Sequence, residues 1–257
     1  MAYKYIDVSY HNGVIDWEKV KSQVDFVIIR AGYGANNADQ RFVHNITECN
    51  RLGIPCGVYW FSYALDADMA AEEARYCLEA IKPYRVELPV CYDFEYDSVN
   101  RAKRNGVTIT SEMATSFVHA FCGAVEAAGY YAMNYANPDY LSRYFDDSTL
   151  KYDLWLAQWP LNPNPDKPPR SCGIWQYTSR GCIDGISGMV DVGAVYRNYP
   201  DLIASKGLNG LAASEPDKPW YADAQAWAVD RGITDGTDPD GPVTRAQAWT
   251  MLYRALK

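Results

Sequence analysis

The stretch Val86-Glu87-Leu88-Pro89-Val90-Cys91-Tyr92-Asp93-Phe94-Glu95 reads as a short buried strand that ends in two carboxylates. In an extended chain, side chains two residues apart project to the same side, with Cα atoms ~6–7 Å apart. Two carboxylates held that close resist ionising together, so one proton is retained to higher pH. Such a pair suits glycosidic bond cleavage, where one carboxyl protonates the leaving oxygen and the other stabilises the positive centre. A bare D-x-E string is more often a solvated acidic turn, so its meaning depends on the rest of the chain.

Outward from that stretch, strands and helical patterns alternate through the first two hundred residues. The strand candidates are 4–8, 26–30, 56–61, 90–94, 132–135, 154–158, 174–177 and 188–191. Helical patterns cover 17–22, 40–52, 67–81, 111–128 and 138–144, with Ser111 as an N-cap and Gly129 as the stop of the fourth. This order predicts an α/β protein: an irregular (β/α) TIM-like barrel with helices mainly in the first five units. In such barrels the chemistry gathers at the carboxyl ends of the strands. Asp7, Arg30, Tyr59, Asp93, Glu95, Tyr135, Gln158, Gln176 and Asp191 all fall at or near those ends. Polar residues normally resume at strand ends, so part of that clustering is expected by chance.

Composition sets outer bounds. The 257 residues can hold one large domain and a small appendage, and a net charge of −8 argues against nucleic acid and against an anionic membrane surface as partners. No run approaches the ~20 apolar residues of a membrane-spanning helix. The strand-like start Met1–Asp7 lacks the pattern of a signal peptide, which implies either a removed signal or release without one. Twenty-one Tyr and eight Trp offer flat faces for sugar rings, though many of them will simply fill a core. Seven cysteines, mostly in apolar runs, read as buried hydrophobes; Cys172 and Cys182 flank one strand and are the pair that could bridge. No Cys or His spacing suggests a metal site, and no cofactor is implied. Asp235, Asp238, Asp240 and Gly241 lack the downstream Glu of a calcium loop and read as an Asp/Gly turn capping the last helix.

Several blocks of the chain, taken in order, resemble the family 25 glycoside hydrolases, the Chalaropsis-type lysozymes. They are Tyr5–Trp17, Phe26–Gly34, Gly57–Phe61, Pro89–Glu95, Leu154–Trp159, Ile174–Tyr177 and Met189–Asp191. Ordered agreement of this kind is more specific than any one motif. The resemblance implies a peptidoglycan hydrolase cutting the β-1,4 bond between N-acetylmuramic acid and N-acetylglucosamine, with Glu95 as general acid/base. It implies that Asp93 orients the substrate's 2-acetamido group, which serves as nucleophile, with Asp7 and Asp191 lining the same cup. Arg30, Tyr59, Tyr135, Trp155, Gln158, Trp175 and Gln176 are the candidates for holding the sugar. The chain departs from the family pattern after its last aspartate, in Asp191-Val192-Gly193, and in the proline-rich loop 160–170.

A linker is expected over 207–219, dividing a barrel at 1–206 from a module at 220–257. The module resembles a single S-layer homology repeat, through Trp220–Asp223, Gly232–Gly236 and Val243–Gln247. That resemblance implies a secondary cell-wall polymer as ligand, met by Arg245. A hairpin this small cannot bury Trp220, Trp227, Trp249 and Leu252 within itself, so that surface is expected to dock on the barrel or, as the favoured reading, on tails of other chains, giving a homo-oligomer through the module. Taken together these readings give a muramidase, an endolysin or autolysin, acting on the wall of a Gram-positive host. A chitinase-like hydrolase and a non-catalytic wall-binding lectin are the competing readings.

Overall fold

In the computed structural model, residues 2–212 and 221–256 are described; 213–219 of the expected linker and Trp220 lie outside that set. Two compact units emerge, Met1–Ala213 and Ser214–Lys257.

The first unit is built on strands β1 (Tyr3–Val8), β2 (Phe26–Tyr33), β3 (Asn37–Ala38), β4 (Cys56–Phe61), β5 (Val90–Asp93), β6 (Ala132–Ala136), β7 (Asp153–Ala157), β8 (Ile174–Gly181) and β9 (Val190–Val195). The hydrogen-bonded order β1-β9-β8-β7-β6-β5-β4-β2, with β1 also pairing β2, closes an eight-stranded barrel; β3 is a short antiparallel extension of β2. Six of the eight contacts around the barrel are parallel, while β9 runs antiparallel to both β8 and β1. The expected strand 188–191 is therefore shifted to 190–195 and reversed. Asp191 is at its start, and reversal brings that start to the same rim as the carboxyl ends of the parallel strands.

Helices α1 (Trp17–Val20), α2 (Phe42–Leu52), α3 (Ala67–Ile81), α4 (Tyr96–Arg104), α5 (Ser111–Ala127), α6 (Pro138–Arg143) and α7 (Tyr199–Ser205) complete the unit. The N-cap of α5 is Thr110 rather than Ser111: Thr110 is extended, and its hydroxyl accepts the Met113 N–H at 3.2 Å. Helix α4 was invisible in the sequence because only Ser98 and Ala102 of its nine residues are buried, so no apolar period betrays it.

Strand parity divides the core in two. Ile6, Val8, Val27, Ile29, Val58, Trp60, Val90, Tyr92, Leu154, Leu156 and Trp175 face outward and pack with the helices. Tyr5, Phe26, Ile28, Cys91, Met133, Tyr135, Trp155, Ile174 and Val195 face inward and fill the barrel. Gly193 belongs to this inward set, and a Cβ there would stand 2.2 Å from both the Tyr5 ring and the Trp175 carbonyl oxygen, so the tyrosine plug requires glycine opposite it. Residues 207–212, expected to begin a linker, are instead seated on the barrel. Asn209 is buried, accepts the Tyr131 N–H and donates to the carbonyls of Val86 and Leu88. Cys172 and Cys182 are both free thiols. No helix among the described residues is long and apolar enough to cross a membrane.

The second unit holds α8 (Ala222–Asp230) and α9 (Arg245–Ala255). Thr244, not the Asp/Gly turn, caps α9: its hydroxyl accepts the Gln247 N–H, and Gln247 Oε1 accepts the Thr244 N–H at 2.8 Å. Asp235 closes its own turn by accepting the Thr237 N–H and hydroxyl. Among the described residues of this unit only Ile233 is a buried hydrophobe, while Trp227, Trp249 and Leu252 are 49%, 67% and 60% exposed.

Candidate active site

The carboxylate rim follows from strand geometry. Asp93 ends β5 with its side chain inward, and the chain stays extended through Glu95 (φ −129°, ψ −172°) before turning into α4. The two-residue spacing thus keeps both carboxylates on the barrel side. The Glu95 N–H donates to Ser98 Oγ at 3.0 Å, which fixes that turn. Across the closure of the barrel, Asp7 of β1 is paired in register with Asp191 of β9. Directly opposed residues of an antiparallel pair have Cα atoms ~4.5–5.5 Å apart, so these two carboxylates also share one space.

Four acids therefore meet at one rim, and burial with mutual repulsion raises the proton affinity of the group. Asp7 and Asp93 are pushed well above the usual carboxylate range, first by burial, then by Asp191 for Asp7 and by Glu95 for Asp93. Glu95 is raised to about 7 by burial, with a hydrogen bond from Asp93 acting the other way and Asp191 adding to the rise. Burial raises Asp191 to about 6. Asp93 and Glu95 behave as a dyad that shares protons. A carboxyl still protonated near neutrality beside carboxylates that can ionise is the equipment for proton transfer to a leaving oxygen.

The other expected site residues separate by parity. Arg30, Tyr59, Tyr135 and Gln176 have inward parity on β2, β4, β6 and β8. Gln176 is buried and donates to Asp7 Oδ2 at 2.9 Å, while its Oε1 accepts Trp159 Nε1–H at 3.0 Å. Trp159, 56% exposed, is an aromatic at the rim that sequence reasoning passed over. Trp155 faces inward but lies beneath the cup. It is 1% exposed, donates to the Tyr5 hydroxyl at 2.7 Å and makes edge contacts with Tyr59 and Tyr135. It supports the aromatic floor and presents no face to a sugar. Trp175 is not in the cup at all. Beside inward Gln176 it must point outward, where it packs in the helix layer and donates to the Gln158 carbonyl oxygen. Gln158 sits just past β7, and its contacts here are backbone ones, to Gln176 and Trp175. Arg245 is exposed at the first turn of α9, in the second unit.

A buttress stands behind the acids. The Ser62 N–H donates to the Asp93 carbonyl at 2.7 Å, and Tyr92 hydroxyl donates to Ser62 Oγ at 3.0 Å. Glu73 of α3 is buried and accepts the Tyr63 N–H at 2.8 Å, and burial raises its carboxyl to about 7. The ends of β4 and β5 are thereby held by side chains rather than by loop packing alone. Among the described residues, no three Cys, His, Asp or Glu are placed to hold a metal ion.

The family model described as glycosyl hydrolases family 25 matches residues 6–186. The chain belongs to that family. The family 25 barrel is 28% identical over 197 residues to "Lysozyme M1" of Streptomyces globisporus, covering 72% of this chain and 65% of that protein. The modular autolysin LytC of Streptococcus pneumoniae is similar in structure with a TM-score of 0.64 at 35% identity, over 76% of this chain and 47% of that one. A family 25 glycosyl hydrolase from Bacillus anthracis shares the fold with a TM-score of 0.63 at 24% identity, over 78% and 92%. The chain spans about two thirds of the length of the curated relatives it matches.

Proposed function

We propose that this family 25 protein is a peptidoglycan hydrolase, a muramidase that cuts the β-1,4 bond between N-acetylmuramic acid and N-acetylglucosamine with retention. The single observation that carries the reading is the Asp93–Glu95 dyad at the end of β5, with Asp93 buried, Glu95 half-buried and the Glu95 carboxyl raised to about 7. Glu95 protonates the glycosidic oxygen as the bond to C1 breaks. The 2-acetamido oxygen closes on C1 from the opposite face, and Asp93 accepts a hydrogen bond from the acetamide N–H and balances the oxazolinium charge. Glu95, now a carboxylate, takes a proton from water as that water opens the ring at C1, which restores the original configuration. A LytC structure contains a synthetic peptidoglycan ligand, and LytC is 36% identical to this chain, which supports the choice of substrate over chitin. The presence of Glu95 argues against a non-catalytic lectin.

Muropeptides released from purified wall are expected to carry reducing-end N-acetylmuramic acid by mass spectrometry, and proton NMR on a soluble glycan should show the β anomer first. Chitin oligomers cut faster than peptidoglycan, or an inverted product, would overturn the bond assignment or the mechanism respectively.

Activity should be bell-shaped in pH, its alkaline limb reporting loss of the Glu95 proton. Asp191 is one of the causes that hold that proton. Asp191→Asn is therefore expected to move the alkaline limb to lower pH, by about half a unit or more for a charge at this range. A limb that stays in place would show that Asp191 does not act on Glu95.

The second unit extends the reading to wall attachment and assembly. Two short helices joined by a turn, in which Ile233 is the buried hydrophobe among the described residues, cannot bury Trp227, Trp249 and Leu252 within themselves, so tails from several chains are proposed to pack together, presenting Arg245 to an anionic secondary polymer of a Gram-positive wall. A chain ending after Gly210, which keeps the Asn209 contacts, is expected to cleave soluble fragments at the full-length rate while binding whole cells more weakly. Light scattering should report an oligomer for the full chain and a monomer for the shortened one. A full-length monomer at high concentration would remove the assembly.

A further inference from the structure

Asp39 lies on no part of the carboxylate rim, yet three elements converge on it. Its side chain is fully buried. Oδ2 accepts Arg30 Nε–H at 2.8 Å and the Tyr10 N–H at 3.1 Å, and Oδ1 accepts the Arg41 N–H at 2.9 Å. It thereby ties the turn that follows Asp7, the inward Arg30 of β2, and the start of α2. The Arg30 guanidinium is further held against ring faces, 4.9 Å from the Tyr10 centroid and 5.6 Å from that of Tyr33. Arg30 Nη2 is buried and has no hydrogen-bond partner; so is Asp93 Oδ1. Opposite charges that feel one another's field and are both short of a partner would normally close into an ion pair. Among the described residues Arg30 instead forms its ion pair with Asp39 alone.

We infer that Asp39 is a positioning residue for catalysis: it anchors Arg30 so that the guanidinium charge reaches the cup while the Asp93 carboxylate stays free for substrate. The inference rests on the muramidase reading for its kinetic consequence. The groups that face Asp93 are Asp7 from β1, Arg30 from β2, Tyr59 from β4, Glu95 beyond β5, Tyr135 from β6 and, through Asp7 and Glu95, Asp191 from β9. Arg30 is the cation of that set, and it offsets part of what burial, and then repulsion from Glu95 and Asp7, add to the proton affinity of Asp93. An Asp93 captured outright by Arg30 would be ionised but unable to accept the acetamide N–H. One left without Arg30 would hold its proton to higher pH. Asp39 keeps the site between those two states.

The test is the pH profile of kcat/KM together with carboxyl carbon NMR titration of Asp93, in full-length wild type, Arg30→Gln, Arg30→Lys and Asp39→Asn. Arg30→Gln removes the cation, so the acid limb and the Asp93 titration should move up by about half a pH unit or more. Asp39→Asn frees the cation to close on Asp93, so both should move down, with kcat reduced about tenfold. Arg30→Lys keeps the charge and loses the fork, so the limb should stay while kcat falls. A merely structural Asp39 would change kcat or stability with no limb displaced, and that result, or a shift of the same sign in Arg30→Gln and Asp39→Asn, overturns the inference. If Asp39→Asn does not fold, the Arg30→Gln and Arg30→Lys pair decides: displacement in the first alone supports it, and displacement in neither overturns it. A wild type inactive on peptidoglycan would count against the muramidase reading, while the NMR titration would still decide the Arg30–Asp93 coupling.

Discussion

Glu95→Gln is expected to lower kcat on purified peptidoglycan by about 10²- to 10⁴-fold, the range that a positioned proton donor contributes. Gln is close in shape and keeps the backbone bond to Ser98, so the extended turn into α4 should survive and circular dichroism should be unchanged. Substrate binding should persist, because the lost group acts on the leaving oxygen in the transition state. The alkaline limb, which belongs to the Glu95 proton, should vanish from whatever activity remains. Near-wild-type lysis by this variant would sink the assignment of the whole rim, since the proton donor on which the other three acids act would then be dispensable.

That rim was legible because it obeys a local rule. The two-residue spacing of Asp93 and Glu95 needs only an extended backbone, and the chain supplies it through residue 95. The barrel, too, was legible from alternating strands and helices, since the helices that cover β2, β4, β5 and β6 carry clear apolar faces. What failed was whatever depends on direction or on distant partners. Trp175 and Gln176 were both placed in the cup, although a period of two permits only one of them. The reversal of β9 had a readable sign: eight residues separate Gly181 from Val190, too few for the crossover that a parallel neighbour needs. Trp159 closed one of the family-like blocks without being singled out, and Asp39 carries no local signal at all. Asp39 follows a two-residue strand with no periodicity, and its significance comes from Arg30 and Tyr10, nine and 29 residues away in the chain.

Asp93→Asn should separate activity from stability, in opposite directions. Loss of the charge that steadies the oxazolinium ion is expected to cut kcat by about 10²- to 10³-fold, comparable to removing one preorganised transition-state partner. The folded protein, by contrast, should gain. Burial and then the charges of Glu95 and Asp7 raise the Asp93 proton affinity well above that of an unfolded chain, where an aspartate titrates near 4. A raised folded value means that the native state binds more protons than the unfolded state, so stability is full below about pH 4 and falls as pH rises through the folded value. Asn stands in for the protonated carboxyl and abolishes that loss. Its melting temperature should therefore exceed the wild type's at pH 7 to 8, and the difference should shrink as the pH approaches 4, measured by calorimetry across that range. A variant that is less stable at neutral pH, or equally shifted at every pH, would show that the folded protein does not raise the proton affinity of Asp93 above that of the unfolded chain. The same sign applies to Asp7, Glu95 and Asp191, each raised by burial at one rim. A protein free to maximise its stability would not keep four acids there; the neutral-pH penalty is what the fold gives up to hold a proton near pH 7 beside a carboxylate.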